Sequence, residues 1–191
     1  MKELVLVLGG ARSGKSALGE RLAAEGERVL FVATAEAGDE EMAGRIAAHR
    51  SRRPRSWETV ESPVDVAEAI TRHSGGYDTV LLDCVTLWVS NLLLRAVSPQ
   101  GAEASVREAV EGLLAAYEES QARWVVVSNE VGLGVVPPSA LGRAYRDVLG
   151  WANQALARRA DKVYLVTAGQ ALELKGLGAR SILTMGKEVA G

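Results

Sequence analysis

The fold of this 191-residue chain follows from the stretch Leu4-Val5-Leu6-Val7-Leu8-Gly9-Gly10-Ala11-Arg12-Ser13-Gly14-Lys15-Ser16. Its first five residues are a continuous apolar run, which is typical of a strand buried on both faces of a parallel sheet. Residues 9–16 match the pattern G-x-x-x-x-G-K-[ST], and an amphipathic helical pattern covers residues 15–25. The stretch therefore predicts a strand, a phosphate-binding loop (P-loop) and a helix, in that order.

The residue types of the P-loop have a chemical reason. Glycines let the backbone curl so that successive N–H groups point at a phosphate, and the helix N-terminus adds partial positive charge. Lys15 would neutralise the terminal phosphates of a nucleotide, and the Ser16 hydroxyl would bind Mg²⁺. We therefore expect every residue of the loop to contact nucleotide: Gly9, Gly10, Ala11, Arg12, Ser13, Gly14, Lys15 and Ser16.

Apolar runs and helical patterns alternate along the rest of the chain. Strands are predicted at 29–33, 57–60, 79–82, 124–127 and 163–166, and helices at 39–53, 64–71, 87–94, 104–119 and 141–159. Residues 98–101 are predicted as a turn-rich surface loop, and the tail from Gly176 is weakly patterned. Such alternation predicts one domain over residues 1–191, an α/β P-loop NTPase fold (RecA-like) with a doubly wound, mainly parallel sheet.

Asp83 directly follows the third apolar strand. In P-loop sites an acid at such a position holds Mg²⁺, directly or through water. The alternative is an aspartate that only caps the following helix. With the P-loop present, the sequence favours the metal role for Asp83.

The composition restricts the partners of the protein. Hydrophobic residues make up 48% and charged residues 24% of the chain, which is typical of a globular protein, and the net charge of −2 gives no field that would attract nucleic acid or an anionic membrane. The single cysteine, Cys84, cannot form an internal disulfide, and no apolar run is long enough for a signal peptide or a membrane span. We therefore expect a cytoplasmic protein that binds anions through a local cluster.

Such a cluster surrounds His49 in the predicted helix 39–53. Met42, Ile46 and His49 share one helix face, and four arginines follow between residues 50 and 55. One interpretation is a half-buried histidine at a helix end, with arginines that complement the helix dipole. The other is a nucleophile toward phosphorus, kept neutral by cations that also hold a triphosphate. The second histidine, His73, lies in a predicted surface loop and is given no role.

The P-loop alone leaves several classes of protein open. A signalling GTPase should carry Asn-Lys-x-Asp after a late strand, whereas the fourth strand is followed by Ser-Asn-Glu-Val and the fifth by Thr-Ala-Gly. A GTPase switch is therefore disfavoured. A single-function small-molecule kinase and a nucleotide-binding regulatory module without catalysis both remain possible.

The chain resembles one known family along nearly its whole length. The resemblance is carried by the P-loop at 9–16, Val-Ala-Thr-Ala at 32–35, the segment from Asp39 through His49, and Asn-Glu-Val-Gly-Leu-Gly-Val-Val-Pro at 129–137. Trp57, Glu61, Asp83, Arg143 and the Tyr-Arg-Asp at 145–147 add to it. On these residues the chain resembles the bifunctional adenosylcobinamide kinase/adenosylcobinamide-phosphate guanylyltransferases of cobalamin biosynthesis.

The resemblance implies a two-step enzyme. The kinase step would transfer a γ-phosphoryl group from ATP or GTP to the aminopropanol hydroxyl of adenosylcobinamide. In the second step His49 would attack the α-phosphorus of GTP and pass the GMP on, which gives adenosylcobinamide-GDP. The family also implies a homo-oligomer, specifically a trimer.

The resemblance also assigns roles to individual residues. His49 would be the covalent nucleophile, Lys15 would act on the phosphates, and Ser16 and Asp83 would hold Mg²⁺. The other nucleotide contacts would come from Ala33, Thr34, Ala35, Arg50, Ser51, Arg52, Arg53 and Glu61. The segment 129–137 is a candidate for the wall that faces the corrinoid, with Asn129 or Glu130 near the transferred phosphoryl group; a purely structural turn is the alternative.

Overall fold

The computed structural model describes residues 1–36, 40, 44, 50, 53–73, 75–96 and 99–182. Strands β1 to β7 are Leu4–Gly9, Val29–Ala33, Glu58–Glu61, Thr79–Asp83, Arg123–Asn129, Lys162–Thr167 and Gln170–Glu173. Helices α1 to α5 are Lys15–Ala23, Val66–His73, Val85–Arg95, Pro99–Glu119 and Ala140–Arg159. These elements confirm the predicted order, and most boundaries agree within two or three residues.

All seven strands belong to one sheet in the order β3-β2-β4-β5-β1-β6-β7. Every neighbouring pair is parallel except β6 and β7, which form an antiparallel hairpin at one edge. The connection from β1 through α1 to β2 passes over β5 and β4, as a parallel sheet requires. The predicted doubly wound α/β fold is therefore confirmed.

The two faces of the sheet carry cores of different size. The larger core joins Leu4, Leu6 and Leu82 to α2, α3, α4 and α5, with Trp88 and Trp124 as its bulkiest buried members. The smaller core, on the opposite face, joins Val5, Val7 and Phe31 to the apolar side of α1. The alternation of strand residues between the two cores explains why β1 is a continuous apolar run.

One prediction on these elements is wrong, and one strand was not predicted. Residues 98–101 were expected as a surface loop, but α4 begins at Pro99, because proline fits the first turn of a helix, where its missing N–H would have no helical partner. The short strand β7, which lies before the weakly patterned tail from Gly176, was not predicted. β7 follows a tight turn whose Ala168 and Gly169 both have positive φ. Alanine is an unusual residue there, so the usual sequence signal for a hairpin is missing.

The predicted helix 39–53 lies largely outside the described residues. Of its members Glu40, Gly44, Arg50 and Arg53 are described; the first three are helical, whereas Arg53 is not. Within the described part of the chain, no helix combines the length and the apolar composition that crossing a bilayer would require.

Candidate active site

The P-loop connects β1 to α1, in the place that the sequence predicts. Gly9 is packed so closely that a Cβ atom on it would lie 2.5 Å from the Val166 carbonyl oxygen and 2.5 Å from Ser13 Oγ. Gly14, immediately before α1, has a φ of +100°, which glycine adopts without strain. Sterics at Gly9 and backbone conformation at Gly14 therefore explain both glycines of the motif.

Contacts across the loop hold it in a curled shape. The Ser13 N–H donates to the Gly10 carbonyl at 3.3 Å, and the Gly169 N–H of the β6–β7 turn donates to the Ser13 carbonyl at 2.9 Å. The Lys15 ammonium donates to the Gly10 carbonyl at 3.2 Å. Among the described residues the buried Ser13 hydroxyl has no hydrogen-bond partner. A cationic side chain thus lies across a glycine-rich turn at a helix N-terminus, which is the arrangement that binds phosphate.

Three further predicted residues lie at the carboxyl ends of parallel strands, on the same side of the sheet as the P-loop. Glu61, Ala33 and Asp83 lie side by side in register across β3, β2 and β4. Thr34 follows β2 and is fully buried. Its hydroxyl donates to the Cys84 carbonyl at 2.7 Å and accepts from the Cys84 N–H at 2.8 Å. Thr34 therefore ties the end of β2 to the end of β4, and its side chain supports the position of Asp83.

The surroundings of Cys84 show how close the P-loop comes to Asp83. Burial, with a smaller contribution from the Asp83 carboxylate, raises the pKa of the Cys84 thiol to about 11, and the Lys15 ammonium opposes this shift. The Lys15 ammonium and the Asp83 carboxylate are therefore both close enough to Cys84 to shift the pKa of its thiol. The N-cap residue of α3 is Cys84 itself, so Asp83 does not occupy the capping position that the alternative interpretation requires.

The donor set at this edge suits magnesium. Ser16 in the first turn of α1 offers a hydroxyl oxygen, and Asp83 offers a carboxylate, both of which are hard oxygen ligands. No group of three or more His, Cys, Asp or Glu side chains forms a metal cage in the part of the chain that the structure describes. In the usual protein site for Mg²⁺, one or two side chains act together with phosphates and water.

Two of the predicted arginines, Arg50 and Arg53, lie near the carboxylates of Glu61 and Asp83. The Arg50 guanidinium is 3.5 Å from the Glu61 carboxylate in an exposed ion pair. The Arg53 guanidinium stacks 3.4 Å from the centre of the Phe31 ring, and its Nε is buried without a hydrogen-bond partner among the described residues. Burial lowers the pKa of Arg53, whereas the nearby Asp83 and Glu20 raise it. Arg53 therefore brings positive charge to the Asp83 side of the P-loop.

The structure brings together most, but not all, of the predicted site residues. The P-loop, Ala33 to Ala35, Glu61 and Asp83 gather at the carboxyl ends of the parallel strands, with Arg50 and Arg53 beside them. His49, Ser51 and Arg52 lie outside the described residues. Their predicted roles stay predictions.

Sequence reasoning missed the polar residues that join the loops of this edge. The Asn91 amide donates to the carbonyls of Thr34 and Pro63 at 2.8 and 3.0 Å, and Thr86 Oγ1 accepts from the Asn129 N–H at 2.7 Å. Both Asn91 and Thr86 lie in α3, most of whose residues are apolar. A polar residue within an apolar helical pattern is the signal that could have found them, because a buried polar group needs a partner.

Comparisons with known proteins agree with this geometry. The family model described as "Cobinamide kinase / cobinamide phosphate guanyltransferase" matches residues 5–174. The chain is 49% identical over 172 residues to the bifunctional adenosylcobalamin biosynthesis protein CobP of Pseudomonas aeruginosa, over 90% of this chain and 96% of that protein. It is 41% and 38% identical over 180 residues to the CobU proteins of Escherichia coli and Salmonella typhimurium, which carry the same description, over 90% of this chain and 99% of each. The chain thus belongs to the cobinamide kinase/cobinamide phosphate guanyltransferase family.

Proposed function

We propose that this protein phosphorylates adenosylcobinamide and then transfers GMP from GTP to the product, which yields adenosylcobinamide-GDP. The proposal rests on membership of a family that is described by both reactions. The single structural observation that carries it is the P-loop, in which Lys15 spans a glycine turn next to Asp83 and Cys84. Initial rates of the kinase step with ATP and with GTP measure which phosphoryl donor is preferred.

In the kinase step the P-loop would hold the β- and γ-phosphates. The backbone N–H groups of residues 10–16 would bind the phosphate oxygens, and Lys15 would stabilise the charge that develops during transfer. Ser16 and Asp83 would hold Mg²⁺, which when bound neutralises the phosphate oxygens and orients the triphosphate. Thr34 would contribute by fixing the backbone next to Asp83.

In the second step His49 would attack the α-phosphorus of GTP. The Nε or Nδ–P bond forms as the bond to pyrophosphate breaks, and the acceptor phosphate later displaces the histidine. Arg50 follows His49 in the sequence and lies 3.5 Å from Glu61, and Arg53 lies near Asp83. These contacts support an arginine-rich arm that reaches the nucleotide edge of the sheet. Ser51 and Arg52 belong to the same arm in sequence, and Ala35 follows the end of β2.

The test of the second step is covalent labelling by GTP. Wild-type protein incubated with Mg²⁺ and GTP labelled at the α-phosphate should retain acid-labile, base-stable label after denaturation, as a histidine phosphoramidate does. His49→Ala should abolish the label and leave phosphorylation of adenosylcobinamide within about threefold of wild type, since a nucleophile contributes only to its own step.

The second histidine of the chain provides the matched control. His73 lies in α2, with its Nδ1 2.7 Å from the Ala69 carbonyl. His73→Ala should label like wild type. Label that survives in His49→Ala would contradict the assigned nucleophile, and a wild-type protein without label would reduce the proposal to a kinase.

Assembly and compartment are further parts of the proposal. A homo-oligomer, specifically a trimer, follows from the family resemblance, and light scattering coupled to size exclusion tests it. The reduced and buried Cys84 supports a cytoplasmic location.

A further inference from the structure

The P-loop and the segment that follows β5 leave the sheet side by side, at the carboxyl ends of two neighbouring strands. Strands β1 and β5 are parallel neighbours, with Gly9 in register with Asn129. The helix after β1 packs on one face of the sheet and the helix after β5 packs on the other. Such a change of face is where ligands bind in open α/β sheets, in a crevice outside the carboxyl ends of the strands. The P-loop forms one side of this crevice, and residues 130–139, here called the β5–α5 segment, form the other.

Glu130 is the first residue of that segment and is fixed to the root of the P-loop. Its N–H donates to the Gly9 carbonyl at 3.2 Å. One oxygen of its half-buried carboxylate accepts from the Gly132 N–H at 2.5 Å. A Cβ atom at Gly132 would lie 2.9 Å from that oxygen, so the Glu130 carboxylate lies directly against the Gly132 backbone. A carboxylate has four acceptor sites, and this turn uses one of them.

The other carboxylates of the edge already have partners in the nucleotide part of the site. Glu61, at the end of β3, pairs with Arg50 and lies four positions from β1 in the sheet, and Asp83 interacts electrostatically with Arg53 and Cys84. On the other side of β1, strand β6 ends in the turn Thr167-Ala168-Gly169, which carries no acid. The P-loop follows β1, and β5 is a direct neighbour of β1. Among the described acidic residues at the carboxyl ends of the strands, Glu130 is therefore the one that follows a direct neighbour of β1.

The rest of the β5–α5 segment is apolar, exposed and held in place. Residues 131–142 contain no charged side chain, and Leu133 and Val135 are 87% and 95% exposed. The Arg143 guanidinium donates to the Pro137 and Pro138 carbonyls at 3.1 and 2.7 Å, and Ser139 caps α5. An anchored loop that exposes apolar side chains beside a catalytic crevice is a binding surface.

We propose that the β5–α5 segment is the acceptor subsite of the kinase step, with Glu130 as a catalytic residue that receives the proton of the acceptor hydroxyl. The inference rests on the proposed function and names its second substrate site. The occupant is the corrinoid acceptor, a large macrocycle with neutral amide groups, which matches an uncharged apolar surface continuous with the P-loop crevice. The hydroxyl oxygen bonds to the γ-phosphorus as the bond to the nucleoside diphosphate breaks, and the proton passes to Glu130 and then to solvent.

The first test replaces Glu130 by residues of graded similarity. Glu130→Gln keeps an oxygen that accepts from Gly132 but cannot take a proton, so kcat of the kinase step should fall about 100-fold or more. Glu130→Asp should recover part of this loss. Labelling by α-labelled GTP and transfer of GMP to the phosphorylated acceptor should both stay within about threefold of wild type, since neither needs a proton removed from a hydroxyl.

Glu173→Gln is the matched control for this change. Glu173 also accepts from backbone N–H groups of a turn, those of Lys175 and Gly176. It lies near the amino ends of the parallel strands, away from the P-loop. Its variant should keep the wild-type kcat. A Glu130→Gln variant with kcat within threefold of wild type, or with all three activities lowered equally, overturns the catalytic role.

The second test addresses the apolar surface. Leu133→Ser combined with Val135→Ser should raise KM for adenosylcobinamide about tenfold while kcat and the KM of the nucleotide remain unchanged. Leu177→Ser, at a site 70% exposed beyond β7, is the matched control and should leave all constants unchanged. An unchanged KM in the double variant overturns the subsite. A smaller molecular mass by light scattering also overturns it, because the segment would then be a contact between copies of the chain.

If the wild-type protein phosphorylates no acceptor, the proposed function fails before this inference is reached. If it phosphorylates the acceptor and Glu130→Gln does so equally well, the function stands and the inference fails. The two failures are therefore distinguishable in one set of assays.

Discussion

The P-loop and the β5–α5 segment, which form the two sides of the crevice, expose different chemical groups. The P-loop presents backbone N–H groups, two required glycines and one lysine, and its shape is fixed by hydrogen bonds to Gly10 and Gly169. The β5–α5 segment presents exposed apolar side chains and one carboxylate, and it is anchored at its end by Arg143. The first side suits a polyanion, whereas the second suits a neutral, bulky molecule with a hydroxyl to deprotonate. We therefore expect two unlike substrates to bind next to each other at the carboxyl ends of the parallel strands.

The largest expected effect is a loss of activity, and it should differ between variants of the P-loop and variants of the β5–α5 segment. Lys15→Ala should lower both the kinase activity and the GTP labelling by about 100-fold or more, because a charged hydrogen-bond donor to the phosphates is lost. Arg143→Ala should affect only reactions of the acceptor, since it releases the Pro137 and Pro138 carbonyls. Steady-state kinetics of both variants would contradict the comparison if Arg143→Ala weakened GTP labelling as much as Lys15→Ala.

A smaller effect tests the packing of the P-loop. Gly9→Ala places a Cβ atom 2.5 Å from the Val166 carbonyl oxygen, and the backbone must shift to relieve it, so the free energy of unfolding should fall by about 3 kcal/mol. Gly10→Ala is the matched control, because a Cβ atom there has no neighbour within 4 Å. Urea unfolding measures both. Equal stabilities would show that the close contact at Gly9 does not exist.

The smallest effect concerns pH. The Cys84 thiol has a pKa near 11 in the folded protein, against 9.0 for an ordinary thiol, and burial is the main cause. Above pH 9 the unfolded chain loses this proton and the folded protein keeps it, so stability falls as the pH rises from 9 to 11 and levels off for this group above that. The loss at pH 11 should be about 2 kcal/mol.

Unfolding at several pH values measures this loss, and Cys84→Ala should remove it. Tyr145, whose pKa burial raises to about 12, adds a second decline from pH 10 upward that remains in the variant. A wild-type protein whose stability is flat between pH 9 and 10 would contradict the burial of Cys84.

The sequence predicted the parts of the site that depend on local pattern. A motif of eight residues placed the P-loop, and continuous apolar runs placed β1, β2 and β4, whose carboxyl ends carry Gly9, Ala33 and Asp83. Parallel strands made it foreseeable that these ends would meet. The resemblance to one family, which the comparisons confirm, came from segments spread over the whole chain.

Other features depend on contacts between distant residues and carry weak local signals. The bonds of Thr34 to Cys84 cross 50 positions of sequence, and those of Asn91 cross 57 and 28. The hairpin of β6 and β7 uses Ala168 where glycine or asparagine would announce a turn. The helix start at Pro99 was hidden because proline and glycine near each other also indicate a loop.

The structure of the protein with a non-hydrolysable GTP analogue and adenosylcobinamide tests the central claim most directly. The account predicts the triphosphate within the P-loop and the macrocycle against Leu133 and Val135, with its hydroxyl about 3 Å from the Glu130 carboxylate. A macrocycle bound elsewhere, or a hydroxyl out of reach of Glu130 while the γ-phosphate lies in the P-loop, would contradict it.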